Sequence, residues 1–123
     1  MSTILLSIKP QFARSIFAGS KQYEFRKNRS RADVDHIVFY VSSPERKVVG
    51  EAMIDEVLDG DPADVWEQSR QAAGITEDFY NAYYAGRDRA IAYKLKDVSM
   101  YETPRPLSDY GIRQAPQSFV YLN

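Results

Sequence analysis

Residues Ile37–Val41 read Ile-Val-Phe-Tyr-Val, apolar on both alternating faces of an extended chain. A half-exposed strand alternates apolar with polar residues, whereas one that is apolar on both faces must be covered on both. Val34–Ser42 is therefore expected to be a central strand, and the rest of the chain must supply the layers around it.

The punctuation shows where those layers lie. Thr3–Ile8 is a compact apolar run, and Pro10 suits the first turn of a helix, where a missing N–H costs nothing. Phe12 and Ile16, with Ala13 and Phe17, then recur at four-residue spacing until Gly19 ends the helix. Lys21–Arg26 reads as a second strand, Asn28–Asp33 as a polar loop and Ser43–Arg46 as a turn. Lys47–Leu58 is a long fourth strand in which Gly50 permits a bulge.

Two short inserted helices follow. Asp61 caps the first, with Pro62 at its first position and Gly74 at its end; Thr76 caps the second, which Gly86 closes. Arg89–Tyr101 returns to strand character, Thr103–Pro116 is rich in turn residues, and Ser118–Leu122 is a final strand. The expected fold class is α+β: a small mixed β-barrel of five to six strands, with a helix after the first strand and two short inserted helices. At 123 residues it is a single domain, 1–123, able to bury one core.

Composition removes several functions. The chain has no cysteine, which excludes disulfides, thiol catalysis and cysteine-ligated zinc, and which fits a reducing, cytoplasmic setting. Its one histidine excludes a histidine metal cluster within a single chain. Neither a metal nor a cofactor is expected. No apolar run approaches the ~20 residues that span a bilayer, so no membrane partner is expected either. Oligomeric state is left open.

Net charge is only −1, but it is unevenly spread. Lys21, Arg26, Lys27, Arg29 and Arg31 make residues 21–31 locally basic, whereas residues 51–67 carry seven acidic side chains and no lysine or arginine. Segregation of this kind builds a local anion site on a neutral protein, or simply two solvated faces. An acidic docking surface for a protein partner is a further reading of 51–67.

The densest chemistry lies in Gly19-Ser20-Lys21-Gln22-Tyr23-Glu24-Phe25-Arg26. In a strand Glu24 and Arg26 share one face and Tyr23 and Phe25 the other. Lys21 joins the charged face only if it sits in the glycine turn before the strand. The three groups then converge beside the helix; otherwise Glu24–Arg26 is an ordinary surface ion pair. Lys9, next to the helix N-terminus, is placed to meet an anion. Tyr23, Trp66, Tyr83, Tyr84 and Tyr110 are candidate base-stacking platforms, although Phe79, Tyr80, Tyr83 and Tyr84 more simply form the buried side of the second inserted helix. Trp66 and His36 are expected to pack rather than to act.

The segment from Leu6-Ser7-Ile8-Lys9-Pro10 through Ile16 and Gly19–Arg26, continued by Val48-Val49-Gly50-Glu51 and ending at Pro116-Gln117-Ser118-Phe119, resembles the ASCH-domain family of the PUA-like superfamily. The resemblance runs in order along nearly the whole chain. It implies a small barrel with a helix beside a cleft, and a partner that is RNA or a nucleotide or nucleoside. Lys9, Lys21, Glu24, Arg26, Arg29, Gln117 and Ser118 are the expected ligand-binding residues, with Lys21 and Glu24 catalytic if the protein is an enzyme.

The family offers two enzymatic precedents. One is ribonuclease activity. The other is a branch that hydrolyses the amide of N4-acetylcytidine with a lysine, a threonine three residues later and a downstream glutamate. Lys21 matches that lysine, but Glu24 stands in the threonine position and Gln71-Ala72-Ala73-Gly74 where the glutamate is expected. The leading expectation is RNA or nucleotide binding with a regulatory role in RNA metabolism or translation. The alternative is hydrolysis of a modified nucleoside, or of RNA, centred on Lys21.

Overall fold

The two-sided apolar strand sits where its sequence requires. The computed structural model describes residues 2–122. Their strands are β1 (Ser2–Ile8), β2 (Tyr23–Arg26), β3 (Val34–Val41), β4 (Lys47–Gly60), β5 (Ala90–Arg105) and β6 (Phe119–Tyr121). The helices are α1 (Pro10–Ala18), α2 (Pro62–Ser69) and α3 (Glu77–Tyr83). The strands form one curled six-stranded sheet in the order β2-β5-β4-β3-β1-β6. β1 and β3 run parallel, and every other pairing is antiparallel. The architecture is a mixed α+β half-barrel with three helices.

Ile37, Phe39 and Val41 face an inner layer with Ile4, Leu6, Ile8 and, from α1, Ile16. Val38 and Tyr40 face outward with Leu5 and Val48, and the C-terminal segment covers them through Leu107, Tyr110, Ile112 and Leu122. Burying each such side chain contributes about 1.5–3 kcal/mol, so both coverings anchor the sheet. A third cluster joins Tyr23 and Phe25 of β2 to Val65 and Trp66 of α2 and to Tyr80 and Tyr84 at α3.

α1 is bounded as its sequence predicts. Pro10 opens it, and Gly19 closes it at φ +89°, a left-handed conformation that favours glycine. The N–H groups of Ser20 and Lys21 both return to the Ser15 carbonyl at 3.1 Å. That reversal carries Lys21 beneath the helix before β2 begins.

Several boundaries differ from the sequence reading. β5 runs through Pro104 to Arg105, because the start of β4 reaches that far: Val48 pairs with Arg105 and Gly50 with Met100. The four residues between lie in a bulge, where a proline without its N–H is tolerated. Gly50 is needed there for space, since a Cβ would overlap the Ser99 carbonyl and the Phe17 ring. α2 stops at Ser69, and a 3-10 turn over Arg70–Ala72 completes the run to Gly74. β2 begins at Tyr23 rather than Lys21, and β6 is only three residues long.

Candidate functional site

β2 is an edge strand of the sheet, paired with β5. Across the seam from it lie the end of β1, the start of α1 and residues 115–118. A cavity of about 390 Å³ opens along this seam.

Lys21 forms part of its floor. The residue is 2% exposed, and its Nζ donates to the Ala73 carbonyl at 3.1 Å. The ammonium lies 4.7 Å from the centre of the Phe25 ring and 5.5 Å from that of Phe12. Burial lowers its pKa below the ordinary lysine value, the Glu24 carboxylate opposes that shift, and Arg26 adds to it. The amine is thus enclosed, held by one carbonyl and easier to deprotonate than a surface lysine.

Glu24 and Arg26 form the other part of the floor. Arg26 Nε and Nη2 both donate to Glu24 Oε2, at 3.0 and 2.7 Å. Arg26 Nη2 also donates to the Ser7 carbonyl at 2.7 Å, and Nη1 lies 3.5 Å from Ser118 Oγ. Most of the guanidinium's donors are spent on the protein. Among the described residues both Arg26 bonds to Glu24 go to Oε2, and none goes to Oε1.

The walls are aromatic and apolar. Phe12 and Phe79 meet edge to face with centroids 5.5 Å apart, and Ile75 and Tyr83 extend the same wall. Lys27 Nζ sits 4.7 Å from the centre of the Tyr83 ring. Lys9, Ser42, Tyr40 and Gln117 supply the polar rim. Phe79 is 45% exposed and stands at the mouth.

Lys9, Lys21, Glu24, Arg26 and Gln117 are therefore brought together. Ser118 stands behind Arg26. Arg29 is not at the cavity: its Nη1 pairs with Asp59 Oδ2 at 3.0 Å, on the same carboxylate that takes Arg89. Arg31 pairs with Asp33 and stacks 3.9 Å over Tyr121. The basic loop is turned toward other parts of the protein because acidic and aromatic partners hold it there. The acidic segment is likewise engaged. Glu51 contacts His36 and Tyr101, Asp55 lies near Lys94 and Lys96, and Asp61 caps α2.

Trp66 packs on Tyr80 with centroids 4.7 Å apart, and His36 bridges Thr3 and Glu51. The expectation that the whole aromatic set of α3 is buried needs correction. Tyr80 and Tyr84 are buried, whereas Phe79 is half exposed and Tyr83 lines the cavity. Consecutive helix residues lie about 100° apart, so Tyr80 and Tyr84, four apart, share the buried face while Phe79 and Tyr83, also four apart, share the neighbouring face on the cavity. That four-residue spacing is the signal that sets Phe79 apart from Tyr80. Phe12, Tyr40, Ser42 and Ile75 also line the cavity, and no motif in the sequence ties them to it. Among the described residues no cluster of acidic or histidine side chains is placed to hold a metal ion, and no helix is long and apolar enough to cross a membrane.

The model of the ASCH domain matches residues 6–104, four-fifths of the chain. The chain belongs to the ASCH-domain family. An ASCH domain-containing ribonuclease of Zymomonas mobilis is 28% identical over 96% of this chain and 82% of its own length. The crystal structure of ASCH from Zymomonas mobilis superposes with a TM-score of 0.88 at 28% identity, covering 98% of this chain and 87% of that one. A tyrosine-to-phenylalanine variant of it gives 0.90 at 26% identity, covering 100% and 91%. The Ureaplasma parvum large ribosomal subunit protein uL22 is 34% identical over 98% of this chain. This ASCH domain spans 39% of that relative's length.

The domain carries Lys21 but neither of the other two groups of the amidohydrolase pattern. Glu24 is locked to Arg26, and the turn at Ala72–Gly74 offers Lys21 a main-chain carbonyl in place of a carboxylate.

Proposed function

We propose that this ASCH domain binds single-stranded RNA and takes one unpaired nucleotide, base first, into the seam cavity. The observation that carries the reading is the arrangement of Lys21, buried on a floor that also offers Glu24 Oε1, beneath walls of Phe12, Phe79 and Tyr83. An aromatic slot of this kind suits a flat ring, and stacking is worth ~1–3 kcal/mol per base. Lys21 offers a donor and Glu24 an acceptor to the ring's edge. The phosphates remain outside, near Lys9 and Lys27, because the Arg26 fork is already engaged. Sequence recognition in RNA acts on unstacked single-stranded bases in this way.

Titration of short single-stranded RNA into wild type, Lys21→Ala and Lys9→Ala tests the reading. Lys21→Ala is expected to abolish binding at any salt. Lys9→Ala is expected to weaken it modestly and to reduce the salt slope by about 0.7 for one lost phosphate contact. Equal binding by all three proteins would refute the cavity as the site.

RNA cleavage is a second reading, supported by the lowered pKa of Lys21 and by the relative named as a ribonuclease. A buried amine that gives up its proton more readily than a surface lysine is suited to acid–base work, with the Glu24 carboxylate on the same cavity floor. Cleavage products that require Lys21, from the same incubations, would establish it.

A further inference from the structure

Lys21 and Gln22 make three contacts with the turn after α2. Lys21 Nζ donates to the Ala73 carbonyl at 3.1 Å, and the next amide, Gln22 N–H, donates to the Ala72 carbonyl at 2.8 Å. Gly74, at φ +70°, lies flat against the Lys21 stem, and a Cβ there would overlap Lys21 Cβ, Cγ and Cα. Ala73 itself is fully buried. The turn leads directly into Ile75 and Phe79 of the cavity wall.

We propose that Gly74 is a positioning residue for Lys21: by allowing the Ala72–Gly74 turn to lie against the lysine stem, it fixes the amine on the cavity floor. The aromatic wall and the buried amine are thereby set by one element. A side chain at 74 would push the Lys21 stem toward the cavity, break the Nζ–Ala73 contact and move the amine into wetter surroundings. This inference rests on the reading of Lys21 as the ligand-contacting group, but its test does not require RNA.

Gly86 provides the control. It too is left-handed, at φ +77°, yet a Cβ there meets nothing within 4 Å. Gly74→Ala and Gly86→Ala therefore carry the same kind of backbone strain, and only the first displaces Lys21. The experiment is pH-dependent acetylation of the folded protein, followed by mass spectrometry of each lysine-containing peptide, with RNA binding measured in parallel. In wild type, the Lys21 labelling midpoint is expected below the ordinary lysine value. Gly74→Ala should move it up toward that value and weaken RNA binding at least tenfold, whereas Gly86→Ala should leave both unchanged. An unchanged Lys21 midpoint in folded Gly74→Ala overturns the proposal. If Gly74→Ala does not fold, Lys21→Met tests the contact from the other side. Releasing the Ala73 carbonyl should speed hydrogen exchange at the Gln22 amide, and unchanged exchange there overturns the proposal as well. Shifted labelling in a protein that never binds RNA would sustain the positioning role and remove the RNA reading.

Discussion

Arg26 Nη2 donates to the Ser7 carbonyl at 2.7 Å, joining β2 to a strand with which it shares no ladder. The sheet ends at β2 on one side and at β6 on the other, and this side chain fastens the gap. It can do so because Glu24, two residues earlier on the same face, holds the guanidinium in plane. Two charges that looked like ligand groups in the sequence serve first as a clasp.

Removal of that clasp is expected to be costly. Arg26→Ala leaves Glu24, 4% exposed, as a buried carboxylate without its partner, and such losses run to about 3–5 kcal/mol. The double variant Glu24→Gln/Arg26→Met should recover much of the stability. Chemical denaturation of the three proteins checks this, and a cost for Arg26→Ala no larger than for an exposed arginine would refute the clasp.

Lys21 should make stability depend on pH in a particular direction. Its folded-state pKa is lowered by burial, so between that value and the ordinary one the unfolded chain binds a proton that the folded chain does not. The Lys21 contribution therefore becomes more favourable as pH rises through that window, which closes near ~10.4. Lys21→Met is expected to remove this rise and to stay within about 2 kcal/mol of wild type at neutral pH, as relief of desolvation offsets the orphaned Ala73 carbonyl. Thermal melts across alkaline pH read it out; an identical pH slope in the variant would contradict the assignment.

Phe79 should matter to the ligand far more than to the fold. It is 45% exposed, and its ring contact within the wall is with Phe12. Phe79→Ala is expected to lower RNA affinity by about 1–3 kcal/mol if a base stacks there, while the melting temperature changes little. Fluorescence titration beside a melt separates the two. A large loss of stability with unchanged affinity would make Phe79 a packing residue.

Asp59 predicts the acid limb of the stability curve. Arg89 and Arg29 hold its pKa down at about 2, with hydrogen bonding to Arg89 the largest cause. The contribution is present above the unfolded-state value near ~3.9 and is lost as pH falls toward 2. Asp59→Asn should cost about 1 kcal/mol at neutral pH, reduced by solvent screening, and flatten the curve below pH 4. RNA binding should be unaffected, because this trio lies away from the cavity.

The fold was largely legible because its signals are local. The apolar run at Ile37–Val41, Pro10 and Gly19 around α1, and the Asp61 and Thr76 caps each act within a few residues. The end of β5 was not legible, because it depends on how far β4 extends across the sheet. At the site the spacing of Lys21, Glu24 and Arg26 pointed to one place. It could not reveal that Asp59, thirty residues away, would take Arg29, or that Ile75 and Phe79 would come across as a wall. Burial inverted the roles: the arginine became structural, and the lysine kept its chemistry.

Pro116 and Gln117 line the cavity, Ser7 Oγ donates to the Pro116 carbonyl at 2.7 Å, and β6 pairs with β1. During synthesis, then, the floor and most of the wall emerge early, and one side of the rim waits for the last stretch of the domain. A nascent chain that has displayed Lys21 and the α3 wall still presents an open trough. A chain cut short before Ala115 would keep the floor and the aromatic wall yet leave the cavity open on the side that Ala115, Pro116 and Gln117 close.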